Sequence, residues 1–407
     1  MPNTTTPNKP WTFLAYMAGD NTLDAAGPVD LKEMKKVGSS DKLNLIAQLD
    51  RATGHSCQRY YLRKGTALAA DSVAKLGKID TGDPKNLSDF IAWGIQNYPA
   101  DHYALVLWNH GGGWDDTDVY ADERYRGLRR LPGRTRHALF HTPVRRTLEK
   151  AKKDEVSRAI LYDDNAKDFL DNQEMKKVLA GAAKLLKRNL DLLGMDACLM
   201  SMVEEGCQIS QSTDYTVGSE ETEPGDGWPY NKVLAELAKN PTMTPRDFSA
   251  AIVKDYLASY APADGVTYSA CDLSKTGALV QSVAALGQAL KSKLADTATL
   301  EKLVNVRARV QHYEVANNID LVDFCTLLAA ALPGTAIATA CANVNAVVKN
   351  SYVFASGSKG SGVKNSNGVA IYFPTDLVSP LYAGLDFSQQ TGWDKFLESY
   401  LAAIQNR

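Results

Sequence analysis

The sequence predicts an α/β fold with a mainly parallel central sheet, and two observations carry that expectation. Apolar runs of strand length alternate with stretches of helical period over roughly the first 275 residues, the pattern of strands joined by crossover helices. His110 and Cys198, the residues best suited to chemistry, each stand just past one of those runs, where open parallel sheets place their sites. A chain of 407 residues, 44% hydrophobic and 23% charged, has ample material for such a core.

Taken in order, Trp11 to Ala18 reads as a buried strand that ends at the turn Gly19-Asp20-Asn21. Leu23 to Val37 has helical spacing and is closed by Gly38. Leu43 to Asp50 is a second strand, and Cys57 to Arg63 a third, more exposed one. Ser88 can cap a helix running to about Tyr98. Tyr103 to Trp108 is a buried strand that runs into Asn109-His110-Gly111-Gly112-Gly113-Trp114. Over 115–158 the periodicity fades and arginines crowd in, which predicts a basic insertion. Order resumes at Ala159 to Tyr162, followed by a helix after Leu170 and the strand Leu190 to Met195. That strand ends at Asp196-Ala197-Cys198, with a helix expected to begin at Leu199. Tyr215 to Ser219 is the next strand. From about 275 the chain turns helical, and it closes with an expected hairpin (Tyr352 to Ser356 and Gly368 to Phe373) and a last helix from Trp393. The division is therefore a core over 1–275 and a helical C-terminal extension over 276–407, whose hairpin completes the core.

Net charge is −2 and the pI about 6.3, so no nucleic-acid partner is expected. No apolar run is long enough to span a bilayer, and no membrane partner is expected. The first residues lack the charged and apolar regions of a signal peptide, which points to the cytoplasm; a signal removed beforehand would leave the same picture. None of the six cysteines, Cys57, Cys198, Cys207, Cys271, Cys325 and Cys341, forms a C-x-x-C pair. That argues against a zinc knuckle or a dithiol redox site, and most are expected to be buried, inert thiols.

A thiol attacks carbonyls as a thiolate, so it needs a lowered pKa or a neighbouring base. At a strand-to-helix junction Cys198 would receive both the helix dipole and free N–H groups able to hold an oxyanion. His110 is a candidate base, and the three glycines after it allow close approach of a ligand to the backbone. The plainer readings are a buried structural cysteine and an ordinary loop histidine. An H-G-G-G string also forms the oxyanion hole of lipases, but the G-x-S-x-G elbow that should accompany it is absent, as is the H-E-x-x-H of zinc peptidases.

Trp11 to Asn21, Trp108 to Trp114, Gly194 to Met200, Ser219 to Trp228 and Ser366 to Pro374 together resemble, in the correct order, the clostripain family of cysteine peptidases. The resemblance implies a caspase-like α/β/α sandwich and peptide or protein substrates cut after Arg or Lys. It makes Cys198 the nucleophile, His110 the base, and the N–H groups of Gly111 and Cys198 the oxyanion hole. It also places Asp196 and Asp226 in the S1 pocket, where a carboxylate suits a guanidinium. Asp196 could instead cap a helix, and Asp226 could be a plain turn residue.

His110 and Cys198 lie 88 positions apart, against about 50 in the caspase signature, and the basic insertion is near the size of the excess. The family is known for self-processing in this region. Arg124, Arg126, Arg129, Arg130, Arg134, Arg136, Arg145 and Arg146 are accordingly candidates for autoactivating cleavage, into two chains that stay associated as a monomer. A solvated basic loop and a site for an anionic partner are the other readings of this stretch. Calcium is possible by resemblance only. Asp163, Asp164, Asn165, Asp168 and Asp171 are oxygen-rich but do not follow the EF-hand pattern, so no metal site is expected. A non-catalytic binding or scaffold relative, or one acting on itself alone, is the alternative function.

Overall fold

The computed structural model describes residues 8–115 and 160–405. The eight candidate processing arginines lie outside the described residues. The chain begins with β1 (Lys9–Gly19), α1 (Gly27–Val37), β2 (Leu43–Arg51), β3 (Cys57–Tyr61), β4 (Ser72–Gly77), α2 (Pro84–Asn97) and β5 (Ala100–Trp108). After the basic stretch come β6 (Ile160–Asp163), β7 (Asp168–Leu170), α3 (Asn172–Leu186), β8 (Leu190–Asp196), α4 (Val203–Ile209), β9 (Thr213–Gly218), α5 (Tyr230–Lys239), α6 (Pro245–Ser259) and β10 (Val266–Asp272). The C-terminal part holds α7 (Thr276–Lys291), α8 (Thr297–Arg307), β11 (Asn318–Asp320), α9 (Leu321–Ala331), α10 (Ala336–Val347), β12 (Val353–Lys359), β13 (Ala370–Tyr372), α11 (Asp386–Thr391) and α12 (Trp393–Gln405).

Nine strands form one sheet in the order β12-β10-β9-β8-β5-β1-β2-β3-β4. The five at its centre, β9, β8, β5, β1 and β2, run parallel, and antiparallel strands extend both edges. The period-2 alternation of β1 divides its side chains between two helical layers. Trp11 packs on Phe248 of α6 and Phe13 on Tyr230 of α5, whereas Tyr16 packs on Phe90 of α2. Both faces are thus covered, and the central strands are buried almost throughout, as parallel strands require.

Three local expectations are corrected. α2 is capped by Asp83, whose side chain accepts from Lys85 N–H, and not by Ser88. Pro84 at the first helical position favours that earlier start. The C-terminal hairpin does not form: β12 joins the main sheet beside β10, and β13 pairs with β11 in a separate two-stranded sheet. The turn-rich stretch between the two runs looked like a hairpin loop, yet Asp320 takes the N–H of Asn367, and Ser201 and Ser269 donate to the Gly368 carbonyl. Finally, no helix begins at Leu199. The chain turns over 197–200 with Leu199 at a φ of 64°, and α4 starts only at Val203.

Candidate active site

β5 and β8 are adjacent parallel strands, with Trp108 opposite Asp196. Their carboxyl ends therefore release Asn109-His110 and Ala197-Cys198 side by side. The Asn109 N–H donates to the Asp196 carbonyl at 3.3 Å and continues the ladder one step past the strand. Gly111 then lies directly on the turn that carries the thiol. A Cβ at Gly111 would sit 2.5 Å from the Cys198 carbonyl oxygen and 2.9 Å from the Ala197 Cβ. Only glycine lets the two segments close to this distance.

His110 is held on its Nε2 side by the Thr22 hydroxyl at 2.8 Å. Its ring keeps a partly exposed edge, but protein packs around the rest, and burial draws its pKa down to about 4. The imidazole is therefore neutral near pH 7, the form a general base needs. Behind it, the Asn109 amide donates to the carbonyls of Ala18 and Tyr162 and accepts from the Tyr162 N–H. Asn21 donates to the same two carbonyls. The ends of β1 and β5 and the chain re-entering from the basic stretch are thereby tied together behind the histidine.

Cys198 is fully buried, and its Sγ accepts a hydrogen bond from the Glu223 N–H at 3.2 Å. Because α4 starts five residues later, no helix dipole acts at the thiol; a turn and a loop amide surround it instead. The loop that supplies the amide is pinned from the C-terminal part. Tyr313 donates to Glu220 at 2.7 Å, and the Glu314 N–H donates to Glu221 at 3.0 Å.

Asp196 lies beneath this turn and is buried. It caps no helix. Its Oδ2 accepts from the Tyr230 hydroxyl at 2.7 Å and the Trp228 N–H at 3.4 Å, and burial raises its pKa to about 6. Gly227 leaves room above the carboxylate, since a Cβ there would lie 3.1 Å from Oδ1. Asp226 is exposed at the tip of the same loop. Two further acids sit close by. Glu223 is buried against Asp196, and Asp30, which accepts from the Trp108 indole N–H at 2.8 Å, feels the charge of both Asp196 and Asp226.

Sequence reasoning missed Thr22, Asp30 and Glu223 as members of this site. Glu223 stood inside the Ser219 to Trp228 string and Thr22 one position past the first string, so a signal existed for both. Asp30 sits on α1 and carried none.

A second acidic group holds the only residues among those described that are arranged for a metal. One oxygen each from Asp20, Asp50 and Asp163 lies within 4.8 Å of the others. Asp163 accepts four donors, from Thr81 N–H and hydroxyl and from Asn165 and Ala166 N–H. Asp50 has a buried Oδ2 with no hydrogen-bond partner. The donor set suits a hard, oxygen-seeking cation. Asp171, by contrast, is committed to the capping box of α3.

The profile of the clostripain family matches residues 15–128 and 147–400. Clostripain of Hathewaya histolytica is 27% identical over 259 residues, covering 56% of this chain and 42% of that protein. The chain thus matches less than half the length of that curated relative. Among solved structures, a secreted C11 cysteine protease from Bacteroides thetaiotaomicron with an irreversible peptide inhibitor superposes with a TM-score of 0.66. It is 20% identical, over 95% of this chain and 100% of that one. An inactive zymogen C11 protease from Parabacteroides distasonis gives the same TM-score at 18% identity, over 95% and 99%. Both share the caspase-like fold described above. No described helix is long and apolar enough to cross a membrane.

Proposed function

Because the chain belongs to the clostripain family, we propose that it is a cysteine endopeptidase cutting peptide bonds after Arg or Lys, with Cys198 as nucleophile and His110 as its base. The observation that carries this reading is the pairing of β5 with β8, which delivers the neutral imidazole and the thiol from neighbouring strand ends. His110 takes the thiol proton as sulfur attacks the scissile carbonyl. The oxyanion forms beside the N–H groups of Gly111 and Cys198, and the protonated imidazole gives its proton to the leaving amine. Water, deprotonated by His110, then cleaves the thioester and restores the thiol. The buried carboxylate of Asp196 supports a basic P1 side chain, and the exposed Asp226 stands at the pocket's outer edge.

The uncut chain is latent in this reading. The Cys198 sulfur has no solvent exposure and is held by a loop amide, and a structural relative is described as an inactive zymogen. Cleavage within 124–158 would free the segment that re-enters at Ile160, beside the Asn109 and Asn21 anchors. A hard divalent cation, if the protein uses one, would be held by Asp20, Asp50 and Asp163 and would neutralise their charge. The relative described as secreted extends the choice of compartment beyond the cytoplasm. All six cysteines are buried and none is in a disulfide.

Hydrolysis of a short fluorogenic Arg peptide, lost in Cys198→Ala, tests the chemistry. Incubation of both proteins followed by mass mapping of the fragments tests the processing. A wild-type chain that stays whole while it turns over the peptide rules out autoactivation. A chain that stays inactive even after trypsin has nicked the basic stretch favours a scaffold role.

A further inference from the structure

Glu223 has two contacts, one to the nucleophile and one to the P1 pocket. Its N–H donates to Cys198 Sγ at 3.2 Å. Its side chain is 1% exposed and lies within hydrogen-bonding reach of Asp196. Neither of its carboxyl oxygens receives a hydrogen bond of regular geometry. The Ala197 N–H and the Tyr256 hydroxyl lie near it, but neither makes a hydrogen bond of regular geometry to it. As a carboxylate, Glu223 would be a buried charge beside a second buried charge, with no well-formed hydrogen bond of its own. As a carboxylic acid it becomes a donor, and the acceptor in reach is Asp196.

Among the described residues, no cationic side chain acts on the pair. The titratable groups facing the pair among the described residues are Tyr230 on α5, Tyr256 on α6, Tyr260 just after it, Tyr268 on β10, Asp30 on α1, Asp226 in the same loop, and the Cys198 thiol on the Glu223 N–H. All are phenols, carboxyls or a thiol, and none carries a positive charge. Two neighbouring carboxyls in such a place ionise one at a time. Asp196 is the one with ordinary donors, from Tyr230 and Trp228, so the proton belongs on Glu223.

We propose that Glu223 is a positioning residue for recognition of the basic P1 side chain: its neutral carboxylic acid donates to Asp196 and holds that carboxylate ionised at the pocket floor. This rests on the peptidase reading above. It makes the −COOH of Glu223, rather than a second negative charge, the useful state. An amide in its place should therefore serve almost as well, because its N–H₂ donates too.

The test uses the full chain as wild type, Glu223→Gln and Glu223→Leu. The readouts are kcat and KM from pH 5 to 8 on an Arg-P1 fluorogenic peptide, and the Asp196 carboxyl titration followed by ¹³C NMR. In the wild type, kcat/KM should fall as pH drops through about 6, where Asp196 gains a proton. Glu223→Gln should keep both the profile and the KM within about threefold. Glu223→Leu removes a hydrogen bond to a charged group, which moves the Asp196 titration and the acid limb upward by about one pH unit. KM should rise nearly tenfold at pH 5 and about threefold at pH 6.5, and recover toward pH 8. The proposal is overturned if Glu223→Gln raises KM strongly at every pH, which would mean that a second negative charge is what binds. It is equally overturned if the Asp196 titration is the same in all three proteins. A wild type that cleaves no basic-P1 peptide defeats the peptidase reading alone, because the carboxyl titration still decides the role of Glu223.

Discussion

The two buried acidic groups, Asp196 with Glu223 and Asp20 with Asp50 and Asp163, are built from the same side chain chemistry but resolve their charge differently. In the first, phenol and loop donors converge on one oxygen of Asp196, and an acid without a hydrogen bond of regular geometry lies against it. In the second, Asp163 takes backbone and hydroxyl donors on both oxygens, while Asp50 keeps an oxygen with none. Burial raises the pKa in both places, to about 6 at Asp196 and about 7 at Asp50. The difference lies in access. Gly227 and an exposed Asp226 border the first group, which suits a cation that enters and leaves with substrate. The second is closed by the ends of β1, β2 and β6 and suits either a resident cation or a shared proton.

Four variants would break or sharpen that contrast. Asp196→Asn keeps the volume and the Tyr230 contact but removes the charge proposed to face a P1 guanidinium. Loss of a buried ion-pair partner, about 3–5 kcal/mol, predicts a fall of at least ~100-fold in kcat/KM for Arg peptides, with little change in melting temperature. Steady-state kinetics with a parallel thermal melt checks it. Gly111→Ala forces a Cβ onto the Cys198 carbonyl. A backbone neighbour cannot rotate away, so a loss of roughly 1–3 kcal/mol of stability and of most activity is expected, visible by chemical denaturation.

Asp50→Asn addresses the closed group. The folded pKa of Asp50 lies above its unfolded value, so this carboxyl favours folding below about pH 4 and loses that contribution as pH rises through about 7. The amide should therefore stabilise the fold above pH 7 by roughly 1–3 kcal/mol in chelator, measured by denaturation. Added calcium should reverse the ranking if the three carboxylates hold it. Thr22→Val is the mildest change. It removes one hydrogen bond to His110, about 0.5–1.5 kcal/mol, so kcat should fall by no more than about tenfold with KM unchanged.

The pattern of strands and helices was legible because apolar runs and turn residues mark it directly, and β5 and β8 emerged where their sequences place them. The adjacency of His110 and Cys198 followed, since neighbouring parallel strands release their carboxyl ends side by side. What could not be read depended on distant backbone. The turn after Cys198 replaces a helix because the Leu199 and Ser201 N–H groups bond to the Glu221 and Ser219 carbonyls, a choice invisible in the run after Cys198. The failed hairpin has the same origin, for Asp320 and Ser201 claim the loop that would have closed it. Asp30 reaches the pocket because α1 packs on α5 and the Trp108 indole at the end of β5 meets it, and the Asp20, Asp50 and Asp163 group assembles three separate strand ends.

One feature of the sheet has a consequence for assembly. β5 precedes the basic stretch and β8 follows it, yet the two are hydrogen-bonded neighbours at the centre of the sheet. A single break in 116–159 would turn that internal seam into a subunit boundary, with an N-terminal piece carrying β1 to β5 and a C-terminal piece carrying the strands from β6 onward. Each piece would present an apolar strand edge that only the other can cover, so dilution should not part them and neither should persist alone in water. Two separately produced fragments should find each other as an obligate heterodimer, with His110 contributed by one and Cys198 by the other.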